Sequence, residues 1–245
     1  MRLLLCKTPS GWRLVLHLCA LLLLFVALHL ALVQKQAHSA SAQTLVRRVE
    51  TDRRRVALTF NVNWGDRIVP QILDSLDAGG VRATFFVTGP WAGVQPEILS
   101  RMHRERHEIG NFGYKYEDLS KHSAAVIKEQ ISRAQEIIAE TTGYVPAYFR
   151  PPHGYHNEKI VLAAAQSGYV TVLWDVDSLD RRKTDAKRIV SQILKNVRPG
   201  SIILLHGNDD NQTTVEALPL LLSGLRENGY EAVTLSCLLC SEAVD

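Results

Sequence analysis

The sequence predicts an α/β fold built on a parallel sheet, and three observations predict it. Apolar, β-branched runs alternate with helical patterns from Val56 to Leu235, the mark of βαβ units. The strongest runs, such as Val56–Phe60 and Ile202–Leu205, are apolar or β-branched at successive positions, as strands covered on both faces are. Polar and aromatic residues follow three of the runs: Asn61-Val62-Asn63-Trp64-Gly65-Asp66, Arg150-Pro151-Pro152-His153-Gly154 and His206-Gly207. Such C-terminal strand ends are where α/β folds place their chemistry.

The elements read in order. Strands are expected over Val56–Val62, Ala83–Thr88, Glu108–Asn111, Ala147–Arg150, Tyr169–Val176, Ser201–His206 and Glu231–Leu235. Helices are expected over Ile68–Leu76, Glu97–Arg106, Ser120–Thr142, Asn157–Ser167, Thr184–Asn196 and Thr213–Glu227. Gly79-Gly80, Gly143, Gly168 and Gly229 supply stops, and Asn157 supplies a cap. Strands spaced about 25 residues apart fit an open doubly wound sheet or a barrel. No G-x-G-x-x-G and no G-x-x-x-x-G-K-[ST] occurs, which argues against a nucleotide-binding fold.

The 245 residues are 46% hydrophobic with a net charge of +3, enough for one domain plus an appendage. So balanced a charge predicts no nucleic-acid partner. The basic clusters are Arg47-Arg48, Arg53-Arg54-Arg55 and Arg181-Arg182-Lys183. Residues 1–33 read as an N-terminal anchor or signal segment. Leu14 to Val33 has no Asp, Glu, Lys or Arg, and Arg2, Lys7 and Arg13 precede it. A run of about 20 apolar residues spans a bilayer, and basic residues before it keep the N-terminus inside. A single-pass protein with an extracytoplasmic domain follows; the alternative is secretion after cleavage near Ala40-Ser41-Ala42. Residues 34–54 are polar and read as a linker, and 55–240 as the folded domain. Cys237 and Cys240 form a lone C-x-x-C, read as tail cysteines that oxidising surroundings would join.

Three groups carry candidate chemistry. His206 ends an apolar strand beside Gly207, the place for a general acid or base; the alternative is a core histidine bonded to backbone. Asp175, Asp177 and Asp180 follow another strand. Asp177 paired with His206 would make a proton donor; a solvated acidic turn is the alternative. Arg150, held by Pro151-Pro152, suits a carboxylate clamp or a structural salt bridge.

With these residues in view, the chain from Arg55 to Leu239 resembles the polysaccharide deacetylase family, the NodB homology domain of the carbohydrate esterase 4 type. Thr59-Phe60-Asn61 resembles its T-F-D-D opening, Ala83-Thr84-Phe85-Phe86 its A-T-F-F strand, and Ile109-Gly110-Asn111-Phe112-Gly113-Tyr114-Lys115-Tyr116 its I-G-N-H-x-x-x-H motif. Arg150-Pro151-Pro152-His153-Gly154, Asp177-Ser178-Leu179-Asp180 and Leu204-Leu205-His206 are similar to its later motifs. Trp64-Gly65-Asp66 resembles the sporulation-associated branch. The resemblance implies a distorted (β/α) barrel and metal-dependent removal of N-acetyl groups from chitin, peptidoglycan or similar glycans. A divalent ion such as zinc would activate water, an Asp would act as base and a late His would protonate the amine.

The chain departs from that pattern where the pattern matters most. Asn61 stands at the base position, Val62 at the metal-Asp position, and Phe112 and Tyr116 at the two metal-His positions. Valine and phenylalanine have no donor atom, and neutral tyrosine is a poor ligand. Asn61, Arg150, Asp177 and His206 are therefore the expected remnants of catalysis. Trp64, Asp66, Pro151, His153, Trp174 and Leu204 are the expected substrate-binding residues, and no metal ligand or cofactor is expected. The implied role is a glycan-binding pseudoenzyme of the cell wall or spore envelope, with peptidoglycan or another N-acetylated glycan as partner and the membrane reached through the N-terminal helix. Two alternatives remain: an active deacetylase using a relocated metal site among Asp66, His153, His156, Asp177 and His206, and a structural interaction domain.

Overall fold

The computed structural model describes residues 45–182 and 184–240, with Val15, His17, Cys19 and Leu21 from the N-terminal segment. The chain divides into residues 1–42 and 43–245. In the first unit those four residues are helical and exposed. The expected span over 14–33 otherwise lies outside the described residues, among which no helix is long and apolar enough to cross a membrane.

The second unit is an α/β layer structure. Its strands are β1 (Leu45–Val46), β2 (Arg55–Val62), β3 (Thr84–Val87), β4 (Glu108–Asn111), β5 (Tyr148–Phe149), β6 (Val170–Val172), β7 (Val176–Asp177), β8 (Ile202–His206) and β9 (Glu231–Val233). The order is β1-β6-β5-β4-β3-β2-β8-β7, with β9 beside the start of β2 and every strand pair parallel. The sheet curls. β1 lies on the edge beyond β6, yet Arg48, two residues later, bridges to Ser201 at the start of β8. Gly200 makes that approach possible: its φ is +78°, and a Cβ there would lie 1.8 Å from the Val49 carbonyl oxygen.

Helices cover the outside: α1 (Ile68–Ala78), α2 (Gly89–Val94), α3 (Pro96–Arg104), α4 (Ala124–Thr142), α5 (Glu158–Gln166), α6 (Ala186–Asn196), α7 (Gln212–Glu227) and α8 (Leu235–Cys240). Strand alternation divides β2 between two faces. Val56, Leu58, Phe60 and Val62 join the core that includes α1 and α7. Phe60 stacks on Phe85 at 5.0 Å; burying one such ring stabilises the fold by about 1.5–3 kcal/mol. Ala57, Thr59 and Asn61 face the inside of the curl, where Arg150 bonds the last two. The central strand thus delivers a polar side chain to the interior at its C-terminal end.

The structure corrects several expected boundaries. The 34–54 linker contains β1, because Leu45 and Val46 pair with Thr171 and Val172. The expected strand Tyr169–Val176 is two strands broken at Leu173-Trp174-Asp175. There the Leu173 N–H donates to Val46 and the Asp175 N–H to Ile202, so the chain changes partner strand. Helix α4 starts at Ala124, capped by the Ser123 hydroxyl on the Val126 N–H at 3.3 Å. The last strand stops at Val233, and Cys237 and Cys240 lie free and exposed on α8.

Candidate functional site

A cavity of about 210 Å³ opens at the C-terminal ends of β2, β7 and β8, lined by Asn61, Tyr116, His153, Trp174, Asp177, Leu179, Arg181, Arg182, Leu204 and His206. Asn61 and His206 are register partners on adjacent parallel strands, so their side chains emerge together.

His206 is held from below. Its Nδ1 lies 2.7 Å from Asp180 Oδ1, while its backbone N–H donates to Asp180 Oδ2 at 2.7 Å. The Thr214 hydroxyl donates to the same Oδ2 at 2.8 Å, and Asp180 is buried. A carboxylate at Nδ1 places the proton on that nitrogen and leaves Nε2 for the cavity. The expected Asp177–His206 pair is therefore corrected to Asp180–His206. The β7 strand ends at Asp177, so alternation does not continue. Leu179 adopts φ +59° and returns the chain toward β8. Asp177 Oδ1 instead accepts the Leu179 N–H at 2.8 Å.

Arg150 is wholly buried behind Asn61 and does not line the cavity. Its Nη1 donates to Thr59 Oγ1 and Asn61 Oδ1, each at 3.0 Å. Its Nη2 reaches the Leu173 carbonyl at 3.0 Å and its Nε the Val172 carbonyl at 3.3 Å. The guanidinium lies 4.0 Å from the Phe86 ring centroid and 5.5 Å from that of Trp174. All four oxygen acceptors are neutral, so both the carboxylate clamp and the salt bridge are replaced by a buried cation without a counterion. Burial pushes its pKa from 12.5 down to about 9, which still leaves it charged at neutral pH.

The walls are aromatic. The Tyr116 ring centroid lies 4.2 Å from that of His153, and His153 lies 5.6 Å from Tyr155. Gly154 has φ +72°, and a Cβ there would meet the Trp174 ring at 2.6 Å. Among the described residues, the positive-φ non-glycines are Arg106, His153 and Leu179, and the last two line this cavity. Backbone strain of this kind concentrates at binding sites.

The remaining expected residues divide. His153, Trp174 and Leu204 line the cavity; Trp64 and Asp66 are exposed and do not, and Pro151 is buried. The structure therefore does not bring Trp64, Asp66 or Pro151 to this wall. Leu179, Arg181 and Arg182 do line it; Leu179 lay within the Asp177-Ser178-Leu179-Asp180 motif, and the arginines' only sequence signal was the basic run after Asp180.

The positions where the family resemblance puts ligands do not suit a metal. Val62 packs in the outer core near Val69 and Ile72. Phe112 is buried with Phe86 and Tyr148, 5.5 Å from the Tyr116 ring. The Tyr116 hydroxyl accepts from Arg181 Nη1 at 3.4 Å. No cluster of three His, Cys, Asp or Glu side chains able to hold an ion occurs among the described residues. Of the alternative set, His153, Asp177 and His206 line the cavity, Asp66 does not, and His156 bonds Arg47 Nη2 and the Gly154 carbonyl, each at 2.9 Å.

Comparison with known proteins shows which family the chain is similar to. The family model for polysaccharide deacetylase matches residues 48–172. A peptidoglycan-N-acetylglucosamine deacetylase of Bacillus cereus is 36% identical over 182 residues, 74% of this chain and 66% of that protein. Uncharacterized protein YlxY of Bacillus subtilis is 32% identical over 188 residues, 77% of this chain and 58% of its own. The chain thus spans less than two thirds of the length of these two relatives. A crystal structure described as a CE4 family pseudoenzyme from Bacillus anthracis superposes with a TM-score of 0.76 at 28% identity, covering 80% of this chain and 68% of that one. A mutant of that pseudoenzyme, described as having restored enzymatic activity, matches at 27% identity with the same TM-score of 0.76.

Proposed function

The chain belongs to the polysaccharide deacetylase family, and from that membership we propose that it is a glycan-binding pseudoenzyme of the cell envelope. One observation carries the reading. The places for the metal ligands hold an isopropyl group in the core, a buried phenyl ring and a phenol facing Arg181, and the place for the base holds an amide bonded to Arg150. Asparagine accepts no proton at neutral pH, so nothing at that position activates water. The family generally uses a divalent metal, and the side chains at Val62, Phe112 and Tyr116 do not fit one.

What remains is a binding surface: aromatic walls at Tyr116, His153 and Trp174, and the imidazole of His206 held by Asp180. Peptidoglycan is the ligand class proposed, supported by the activity named for the Bacillus cereus relative. The charge-free run 14–33 behind basic residues supports placing the domain outside the cytoplasm, tethered or secreted. Trp64-Gly65-Asp66 supports the narrower role in the spore envelope.

The test is acetate release from N-acetylated chito-oligomers and peptidoglycan, with zinc or cobalt added, beside a binding assay on the same glycans. Binding without release above background is the expected result. Release that a chelator abolishes sinks the reading.

A further inference from the structure

We propose that a second cavity, beyond Leu179, is a subsite for carboxylate groups carried by the glycan; this rests on the glycan-binding reading above. The cavity has a volume of about 490 Å³ and lies between the turn after β7 and helix α6. Leu179 and Arg182 line both cavities. The two cavities therefore adjoin at Leu179 and Arg182.

The charge of that space is what assigns its ligand. Arg188 and Lys195 are seven residues apart on α6, with Ser191 and Gln192 between them, and all four line the cavity. That spacing is one helix face. Arg182 adds a third cation from the turn, and no carboxylate lines the space. Among the described residues, Arg182, Arg188 and Lys195 form no ion pair. The neighbouring Asp185 is engaged as the cap of α6, accepting the Arg188 N–H at 2.9 Å. Three unpaired cations around a concavity create a positive potential that an anion relieves. Arginine forks also match carboxylates in geometry. A neutral chitin-like chain offers no charge to these groups, whereas a peptidoglycan strand carries carboxylates on its peptide substituents, and on its lactyl groups where the peptide has been removed.

The experiment measures binding of the purified chain to peptidoglycan sacculi stripped of phosphate polymers, and to neutral chitin oligomers. Arg188→Gln/Lys195→Gln should weaken sacculus binding about tenfold and leave chitin binding unchanged. Arg188→Glu/Lys195→Glu should weaken it further. Amidating the sacculus carboxylates should reproduce the loss for the wild type. Equal loss on chitin, or affinity indifferent to amidation, overturns the subsite. Binding only to sacculi that keep their phosphate polymers reassigns the anion and overturns the carboxylate. Tighter binding to phosphatidylglycerol vesicles, lost in the same variants, overturns it in favour of a lipid surface. A wild type that binds neither glycan removes the parent reading as well; one that binds both while the variants match it removes the subsite alone.

Discussion

Arg150 donates to Asn61 Oδ1 at 3.0 Å, and that amide stands where the family resemblance puts an anionic base. The buried guanidinium has no counterion among its four acceptors. Asn61→Asp should therefore stabilise the fold, because a charge-assisted hydrogen bond replaces a neutral one. The expected gain is about 1–2 kcal/mol, a rise in Tm of about 2–8 °C. Arg150 would hold the new carboxylate below the ordinary Asp value of ~3.9. The gain is then fully present above that value and lost as pH falls through the lowered folded-state pKa. Thermal melts of both proteins at neutral and acid pH check this; a variant less stable than wild type at neutral pH contradicts it.

The pairing of His206 makes a second prediction. Asp180 satisfies the His206 ring, the His206 backbone N–H and the Thr214 hydroxyl. Asp180→Ala strips all three inside a buried pocket and should cost about 3–5 kcal/mol. Asp177→Ala removes one bond to the Leu179 N–H at a half-buried position and should cost about 1 kcal/mol. Denaturant unfolding of the two variants ranks them. The reverse order would mean that Asp177 holds the imidazole in solution.

That distinction marks what was readable in the sequence. The seven expected strands all correspond to strands, because uninterrupted apolar runs such as Ile202–Leu205 have few other ways to be buried. The partner of His206 was not readable. Alternation along Asp175-Val176-Asp177 favours Asp177, and only the left-handed Leu179 redirects the chain to Asp180. β1 was hidden for a related reason: two residues carry no periodicity, and Leu45-Val46 is a strand only because Thr171-Val172 offers an edge. The basic cavity on α6 needed both the helix face and the turn in place.

His107 supplies a pH prediction away from the site. It is buried, and its Nδ1 accepts the Ala83 N–H at 3.2 Å. Desolvation, with Arg82 next, lowers its pKa from 6.5 to about 4. Between those values the unfolded chain takes up a proton that the folded one refuses. The stability contribution is whole above about 6.5 and falls as pH drops toward 4, by about 3 kcal/mol in all. His107→Gln can still accept the Ala83 N–H and does not titrate. Wild type should lose more stability than this variant between pH 7 and 4, and parallel losses would contradict the assignment.

Restoring the metal site is the most demanding prediction. Asn61→Asp, Val62→Asp, Phe112→His and Tyr116→His together are the minimum expected for metal uptake and turnover. The structure says what each costs. Asn61→Asp gains Arg150 as a charged partner. Val62→Asp starts from a core position near Val69 and Ile72, where an unpaired carboxylate costs several kcal/mol. Phe112→His and Tyr116→His remove a buried phenyl ring and part of the aromatic wall. Without metal, the fourfold variant should therefore melt well below wild type. An ion that draws the introduced carboxylate of Val62→Asp and the two introduced imidazoles together binds only the folded chain. Zinc should then raise the variant's Tm progressively with its concentration and leave wild type unmoved. Val62→Asp alone should be destabilised and show no such rescue, because one carboxylate does not hold the ion. Melts with zinc and with chelator, run beside acetate release, separate the cases. A fourfold variant that folds normally but neither gains stability with zinc nor releases acetate would mean that the curl of the sheet, and not the ligands alone, has moved away from a metal-binding shape.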